Sequence, residues 1–459
     1  MKTRYFNDIM RNIVLASSLI FFTCHTLSAQ ENEDIVEGPP ESDTSTSLKS
    51  LKEKRFIEKL TYQTQPGLPI AASKIYHSDR NYTISGFGEV NYIGYTGYKD
   101  RSSNDLELYY TNLYRGVSYV GWKPKDWLIL YGEIFAEFMH DGNREGHFEA
   151  FIEVFADFQL DEHFNVRVGT MQPSIGYINN HDEPVMFYSV NRPDVERIII
   201  PTQWIDLGIM TYGKINDELN WTFSTFQGLD AQSFNGGTWM RRGRDDEFRM
   251  NLDNVALNSQ LNYSGIENTT LSASGYWTRS GGNESIETPQ GTSTVNANTL
   301  LTTAYGRLEL DRWNFMLLGA YGRMGDTDKL YQLTDGQVLG KEVYGALFEV
   351  GYDILPFFRG KQDAEGIDDD GGLIFNKHEM KLPLFARYER LNTHHSVHSA
   401  LLEEERSQND LHALTVGLNF NTQKDIVLKA NYMFRWNQAE LPSGRTEGDR
   451  IEVGMGFIF

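Results

Sequence analysis

Apolar and polar side chains alternate along most of this chain with a period of two residues. In one clear stretch, Phe148 and Ile152 fall on one face while Glu149 and Glu153 fall on the other. Such alternation is typical of a β-strand with one face in an apolar environment and the other in water. The preceding stretch, around Glu133, repeats the scheme, so neighbouring strands share it.

The final eleven residues follow the same pattern and end on an aromatic carboxyl terminus. Ile451, Val453 and Phe457 share one face with Phe459, and small or polar residues occupy the other. Because open sheet edges are not tolerated in hydrocarbon, a lipid-facing strand of this kind belongs to a closed barrel. The final strand is then expected to pair with residues 82–96. The last strand of a soluble β-sandwich would show the same alternation.

Counting these stretches predicts about sixteen strands, an even number as in bacterial barrels. They begin near Tyr82, Leu106, Trp127, Phe148, Asn165, Asp206, Asn220, Asn251, Thr270, Leu300, Trp313, Glu342, Glu379, Leu411, Ile426 and Asp449. Short turns follow even strands and longer loops follow most odd ones, as expected with the amino terminus in the periplasm. The stretch from Leu355 to Lys377 is an exception, so either the count slips there or one periplasmic turn is enlarged.

Tryptophan placement gives an independent check on this count. Trp127, Trp221 and Trp313 open strands after short turns, whereas Trp277 and Trp436 close strands before long loops. Aromatic residues at both strand ends are typical of the two girdles of a membrane barrel. We therefore predict an all-β fold, an antiparallel transmembrane β-barrel.

The amino terminus has the features of a secretory signal peptide. Lys2 and Arg4 precede a short apolar run, and residues 27–29 offer a small-residue cleavage site. Cys24 is the only cysteine, so lipid acylation there is an alternative, while a chain without it excludes disulfides and zinc–thiolate sites. We expect a signal peptide at 1–29, export, and location in the cell outer membrane.

Residues 30–80 differ in composition from the rest. Their first part is acidic and rich in Ser, Thr and Pro, which predicts disorder, and Leu48, Leu51, Ile57 and Leu60 allow one short helix. We interpret 30–80 as a flexible periplasmic leader to a barrel at 81–459. The alternative is a peptide that plugs the lumen or pairs with a partner.

The longest connection, from Met171 to Trp204, is the third external loop. It combines four prolines and many apolar residues with charged ones, which an exposed loop has no reason to carry. A loop folded inward buries its apolar side and presents its charges to the channel; the alternative is a lid over the mouth. The candidate constriction residues are Asp182, Glu183, Arg192, Asp194, Glu196 and Arg197.

Charge narrows the choice of function. The formal net charge of -21 argues against nucleic-acid binding, and acidic walls repel anions. The expected lumen-wall residues are Glu133, Glu137, Glu149, Glu153, Asp157 and Arg167. We therefore expect a porin for small hydrophilic solutes or ions, either cation-preferring or weakly selective. A basic patch at Trp239–Arg244 suits lipopolysaccharide phosphates or pairing with the adjacent Asp245–Glu247.

Several segments, in this order and spacing, resemble the phosphate-selective porin O/P superfamily. They are Asn112–Val117, Pro124–Trp127, Val166–Pro173 and Trp204–Gly208, and Leu384–Arg390 resembles a strand of its Bacteroidetes branch. The resemblance implies a sixteen-stranded barrel, commonly a trimer, with the third loop in the pore. It also raises phosphate transport, which that family achieves with arginine ladders and lysine clusters. This sequence departs from that pattern of basic residues, because Arg167 and Lys429 are among the few basic side chains expected on the inward faces.

Two other classes of function stay open. Asp410 and His412 share a strand face and imitate a catalytic pair, but sixteen strands leave room for an aqueous channel, so we expect no enzyme. A non-conducting barrel acting as an adhesin or secretion-complex scaffold is the other alternative. His394, His395 and His398 lack a clear fourth ligand, so neither a metal site nor a cofactor is expected.

Overall fold

The strands form one closed antiparallel barrel. The computed structural model describes residues 60–97, 99, 101, 103, 105–143, 146–244, 253–289, 291–358, 375–376, 378–439 and 448–459. The expected signal peptide and Cys24 lie outside these residues, as do Leu48, Leu51 and Ile57. Sixteen strands make up the barrel, and a separate hairpin, β10–β11, lies in the connection after β9.

The strand bounds are β1 Tyr82–Tyr95, β2 Asn112–Lys125, β3 Leu128–His140, β4 Gly146–Phe158, β5 Asn165–Met171, β6 Asp206–Asn216, β7 Leu219–Phe226, β8 Val255–Ile266, β9 Thr269–Arg279, β10 Ser285–Thr288, β11 Gly291–Thr294, β12 Asn298–Leu310, β13 Trp313–Met324, β14 Glu342–Asp353, β15 Pro383–Ser396, β16 Asp410–Gln423, β17 Ile426–Asn437 and β18 Arg450–Ile458. The α-helices are α1 Lys74–His77, α2 Leu106–Tyr109 and α3 Thr327–Leu333. No described helix has the length and apolar character needed to cross a bilayer.

The last strand closes the barrel as predicted. β18 pairs with β1 from Phe87↔Ile458 to Tyr95↔Arg450. The backbone of Phe459 continues this ladder, because its N–H donates to the Gly86 carbonyl at 2.9 Å and its carbonyl accepts from the Gly86 N–H at 3.0 Å. The sheet therefore has no free edge between its first and last strands.

The predicted strand count is correct, and the largest shift in a strand start is at the second strand. Leu106 lies in α2 rather than in a strand, because the Asp105 side chain caps this helix by accepting from the Glu107 N–H, at 3.2 Å. β2 consequently starts at Asn112. The exceptional stretch near Leu355 is an enlarged connection between β14 and β15, so the count does not slip there.

Burial separates the two faces of each strand. On β3, Tyr131, Glu133 and Glu137 are buried whereas Ile134 and Phe138 are exposed. In a closed barrel the buried face is the lumen side and the exposed apolar face is the lipid side. Trp221, Trp277, Trp313 and Trp436 lie on outward-facing positions of their strands, and Trp127 is exposed in the turn just before β3.

Candidate pore constriction

The connection between β5 and β6, residues 172–205 (L3), packs against the inward-facing wall. Its apolar residues form one buried cluster with side chains of β6, β8, β9, β12 and β14. The L3 members of this cluster are Ile175, Tyr177, Ile178, Phe187, Val195, Ile198, Ile199, Ile200 and Trp204. Their burial explains why an external loop carries so many apolar residues, since each gains free energy on leaving water.

One glycine is required where L3 folds back on itself. Gly176 adopts a φ of 70°, and a Cβ there would lie 2.6 Å from Oε1 of Glu196. That carboxylate accepts from the N–H groups of Tyr177, at 2.5 Å, and Ile178, at 3.1 Å. Burial raises the pKa of Glu196 to about 7. Glu196 therefore organises L3 internally rather than facing a channel.

Asp194 anchors L3 to the far wall. Its carboxylate pairs with Arg435 of β17, with Arg450 of β18 at 3.4 Å and with Arg197 at 3.2 Å. Burial alone would raise the pKa of Asp194, but the three guanidinium groups outweigh it and hold this pKa well below its ordinary value. Asp194 and Arg197 are thus part of one buried ionic network.

Asp182 and Glu183 lie on the other side of the lumen, near β3 and β4. Burial raises the pKa of Asp182 to about 6, and burial together with the Asp182 carboxylate raises that of Glu183 to about 8. Glu133 and Glu153 are directly paired across β3 and β4, and no ion pair joins either of them to another described residue. The region therefore concentrates four carboxyl groups, none of which forms an ion pair with a described residue, although the charges of Arg192 and Arg115 act on Asp182 at longer range.

Arg192 completes the predicted constriction set. Its Nη2 lies 4.0 Å from Oε1 of Glu89, and burial with the nearby Arg115 charge lowers the pKa of Arg192 to about 10. A small cavity between L3 and the β1–β2 wall includes Arg192, Arg115 and Glu89 in its lining. The six predicted residues thus do not form one cluster: Asp194 pairs with Arg197 and Asp182 lies beside Glu183, whereas Arg192 and Glu196 have other partners.

The expected lumen-wall residues mostly face inward, but they are not a free acidic surface. Asp157 pairs with Arg167 at 2.9 Å, and Glu137 pairs with Arg115. Glu149 is half-buried near the outer end of β4, where it contributes little to the interior. Pairing removes much of the anion-repelling charge that the sequence alone suggests.

The expectation of few inward basic residues is wrong. Arg387 of β15 pairs with Glu389 at 2.8 Å and with Glu349 at 3.3 Å, and Lys429 donates to the carbonyls of Phe187 and Ser189. Arg115, Arg435 and Arg450 also face the lumen. The sequence contains a signal for these residues, because the period-two alternation of β2, β15, β17 and β18 places their side chains on the inward face.

The external loops interlock above L3. Arg241, in the connection between β7 and β8, pairs with Asp105 at 2.7 Å and with Glu107, and donates to the Arg197 carbonyl at 3.0 Å. Burial, followed by the Arg244 charge, lowers the pKa of Arg241 to about 10. The basic patch is therefore held by acidic residues of the first loop; its predicted partners at 245–247 lie outside the described residues.

A vestibule lies between L3 and the wall formed by β12–β16. Five acidic and four basic side chains line it. The acidic ones are Glu309, Asp311, Glu349, Asp353 and Glu379, and the basic ones are Arg307, Arg312, Lys381 and Lys424. Tyr177, Met186 and Tyr188 of L3 form the opposite side. The vestibule is nearly balanced in charge.

The Asp410 and His412 pair does not assemble into a catalytic arrangement. Nδ1 of His412 lies 2.6 Å from the Tyr388 hydroxyl, and Asp410 pairs with Arg390. Of the three neighbouring histidines, His394 is buried against the Val338 carbonyl at 2.8 Å. The described residues contain no group of three or more His, Cys, Asp or Glu side chains placed to hold a metal.

Comparisons with known proteins do not assign the chain to a family. No protein-family model matches the chain, so the resemblance to the phosphate-selective porin O/P superfamily stays an expectation. An uncharacterized protein of Aquifex aeolicus (strain VF5) is 25% identical over 385 residues, covering 81% of this chain and 80% of the relative.

Among solved structures, the outer membrane channel DcaP of Acinetobacter baumannii has a TM-score of 0.49 at 13% identity, covering 82% of this chain and 97% of that one. OmpF of Salmonella typhi has a TM-score of 0.47 at 9% identity, with the same coverages of 82% and 97%. We draw no functional conclusion from similarity at this level. The closed sixteen-stranded barrel, apolar outside and charged inside, is itself the architecture of an integral outer-membrane protein.

Proposed function

We propose that the protein is a porin, a water-filled channel for passive diffusion of small hydrophilic solutes and ions across the outer membrane. The observation that carries this proposal is the sixteen-stranded barrel with polar and charged side chains on its lumen face and a charged vestibule beside L3. A barrel of this size has room for an aqueous channel. A catalytic role has less support, since Asp410 and His412 contact separate partners.

The proposed channel is weakly selective with a small preference for cations. Vestibule charges of opposite sign nearly cancel, with one acidic side chain in excess, while the whole chain carries a net charge of -21. The inward arginines do not form a free anion ladder, because Arg115, Arg167 and Arg387 each have carboxylate partners. Pairing of this kind supports weak selectivity over phosphate or other anion selectivity.

Reversal potentials in a planar bilayer across a salt gradient test this function. We expect steady conductance and a small reversal potential whose sign indicates a preference for cations. Glu309→Gln should shift it towards anions and Lys381→Gln towards cations, since both side chains line the vestibule. Strong anion preference in the unaltered protein would instead favour a phosphate-type porin. A complete lack of conductance would favour an adhesin or secretion scaffold.

We also propose that the protein forms a homotrimer embedded in outer-membrane lipid and lipopolysaccharide. β4 pairs with β3 over thirteen residues, from Leu128↔Phe158 to His140↔Gly146, but with β5 only from Phe155 to Phe158. No other described strand pairs with 146–153 on that side. Because unpaired strand edges are costly in hydrocarbon, a second copy covering this edge is favoured. The number three rests on the family resemblance.

A further inference from the structure

Residues 60–81, which we call the lumen insert, cross the periplasmic end of the barrel before β1 begins. The Tyr62 hydroxyl donates to Asp425, in the turn between β16 and β17. Nε2 of Gln65 donates to the Tyr212 hydroxyl of β6 at 3.1 Å. The carbonyl of Pro66 accepts a hydrogen bond from Arg167 of β5. These partners lie on widely separated strands, so the segment passes through the lumen rather than around its rim.

The lumen insert then runs along the inner face of β1 and β2. Ile75 of α1 lies over Gly121, where a Cβ would be only 2.5 Å from the Ile75 Cβ. Nζ of Lys74 donates to the Ile84 carbonyl at 3.1 Å, and the Ser85 hydroxyl donates to the Ala71 carbonyl at 2.5 Å. Gly121 thus provides a hollow in the wall that the insert fills.

Apolar packing also holds the insert in place. Its buried residues form one cluster with inward-facing side chains of β1 to β4 and with Ile458. The insert members are Leu60, Leu68, Ala71, Ala72 and Ile75, and Ala71 is 0% exposed. The described part of the expected leader is therefore folded against the barrel wall, which favours the lumen-plug alternative for residues 60–80.

The insert also meets L3. The carboxylate of Glu183 accepts from the N–H groups of Ile70, at 3.1 Å, and Ala71. Val185 of L3 packs against the apolar cluster of the insert. One side of L3 is consequently supported by the insert. The other side is held by the ion pairs between Asp194 of L3 and the arginines of β17 and β18.

We propose that the lumen insert is a second constriction element that closes the β1–β6 side of the lumen and positions L3 there. Solutes then pass on the opposite side, where the vestibule is lined by L3 and β12–β16 and includes no residue of β1–β6. This inference rests on the proposed channel function. It differs from the usual single-loop constriction in that two chain segments together set the width of the pore.

Displacing the insert, once from the wall side and once from the insert side, tests the proposal. Gly121→Val places a side chain in the volume occupied by Ile75, and Ile75→Asp removes the apolar contact from the insert side and leaves every strand unchanged. Because the insert covers about six of the sixteen strands, we expect about a one-and-a-half-fold to twofold rise in single-channel conductance for each. Gly116→Val is the matched control, since a Cβ at this outward position of the same strand meets nothing within 4 Å.

Cysteine labelling reports on the insert independently of conductance. Ala71→Cys should resist a water-soluble maleimide in the otherwise unaltered protein and react readily when combined with Ile75→Asp. Rapid labelling of Ala71→Cys alone, or unchanged conductance in both displaced variants, would overturn the insert while leaving the channel function intact. Absence of conductance in every variant, with Ala71→Cys still protected, would overturn the channel function and not the packing of the insert.

Discussion

Glu183 shows how a single side chain acquires its properties from the surrounding fold. Its carboxylate is fully buried between L3 and the lumen insert, next to Asp182, and accepts two backbone N–H groups. Hydrogen bonds to the charged form lower its pKa, but burial and the Asp182 charge outweigh them, so the pKa rises from 4.5 to about 8. At neutral pH this glutamate is largely protonated.

The raised pKa makes the stability of the folded protein depend on pH. A folded pKa above the unfolded value means that this group's stabilising contribution is fully present below pH 4.5 and is lost as the pH rises through about 8. Asp182 and Glu196 act in the same direction, around pH 6 and 7. We expect the melting temperature in detergent to fall between pH 5 and 9, and to fall less in Glu183→Gln. Glu162→Gln, at an exposed turn, should keep the original profile. Identical profiles for the unaltered protein and Glu183→Gln would contradict this account.

At the scale of elements, L3 depends on both an apolar face and an ionic anchor. Proline and isoleucine content alone indicated that L3 packs against something. The partners of Asp194 were not predictable from its position, because Arg435 and Arg450 are more than 200 residues away along the chain. The barrel brings β17 and β18 to the tip of L3.

Removing the Asp194 charge should therefore loosen L3. Asp194→Asn removes the carboxylate that pairs with Arg435 and Arg450, and breaking a buried ion pair in this way typically costs about 3–5 kcal/mol. We expect noisier single-channel current and faster proteolysis within 172–205 than in the unaltered protein. Asp217→Asn is a suitable control, because its side chain is exposed in the turn between β6 and β7, away from L3 and the vestibule. A quiet current and unchanged proteolysis in Asp194→Asn would show that this network does not hold L3.

At the scale of the whole molecule, the apolar outer surface includes two kinds of region, one beside fully paired strands and one beside an unpaired strand edge. Most of it faces lipid beside fully paired strands, whereas Ile152 lies on the part of β4 that lacks a neighbour on one side. The side chains of Ile152 and Leu317 are similarly exposed, with Ile152 at 62% and Leu317 at 60%. They differ in whether a second copy is expected to cover them.

This difference predicts separate effects on assembly. Ile152→Asn should destabilise the oligomer, because it places a polar amide in the proposed subunit contact, whereas Leu317→Asn on β13 should leave the assembly unchanged. Light scattering in detergent and unheated gel electrophoresis measure the oligomer directly. Equal loss of assembly in both variants would indicate a general membrane effect, and retention in both would place the contact elsewhere.

Local pattern was sufficient for much of the fold but not for the site. Alternation alone predicts which faces of β3 and β18 point inward. The second strand begins later than predicted, because Asp105 caps a short helix at Leu106. Site residues such as Asp182 and Asp194 were identifiable as charged members of a long apolar loop. Their states were not, since burial raises the pKa of Asp182 in spite of the nearby Arg192 and Arg115, whereas three arginines lower that of Asp194.

The sequence by itself determined the barrel, its strand number and the closure of β18 on β1, because a period of two and an apolar outer face are local consequences of a strand in lipid. Only the tertiary structure decided what fills the lumen. The pairing of Arg115, Arg387 and Arg435 with carboxylates depends on which strands are neighbours and where L3 folds. The position of residues 60–81 depends on a hollow at Gly121 that exists only once β1 to β4 are assembled. Long-range packing, which no local pattern encodes, therefore decides which charges are paired and which side of the lumen is filled.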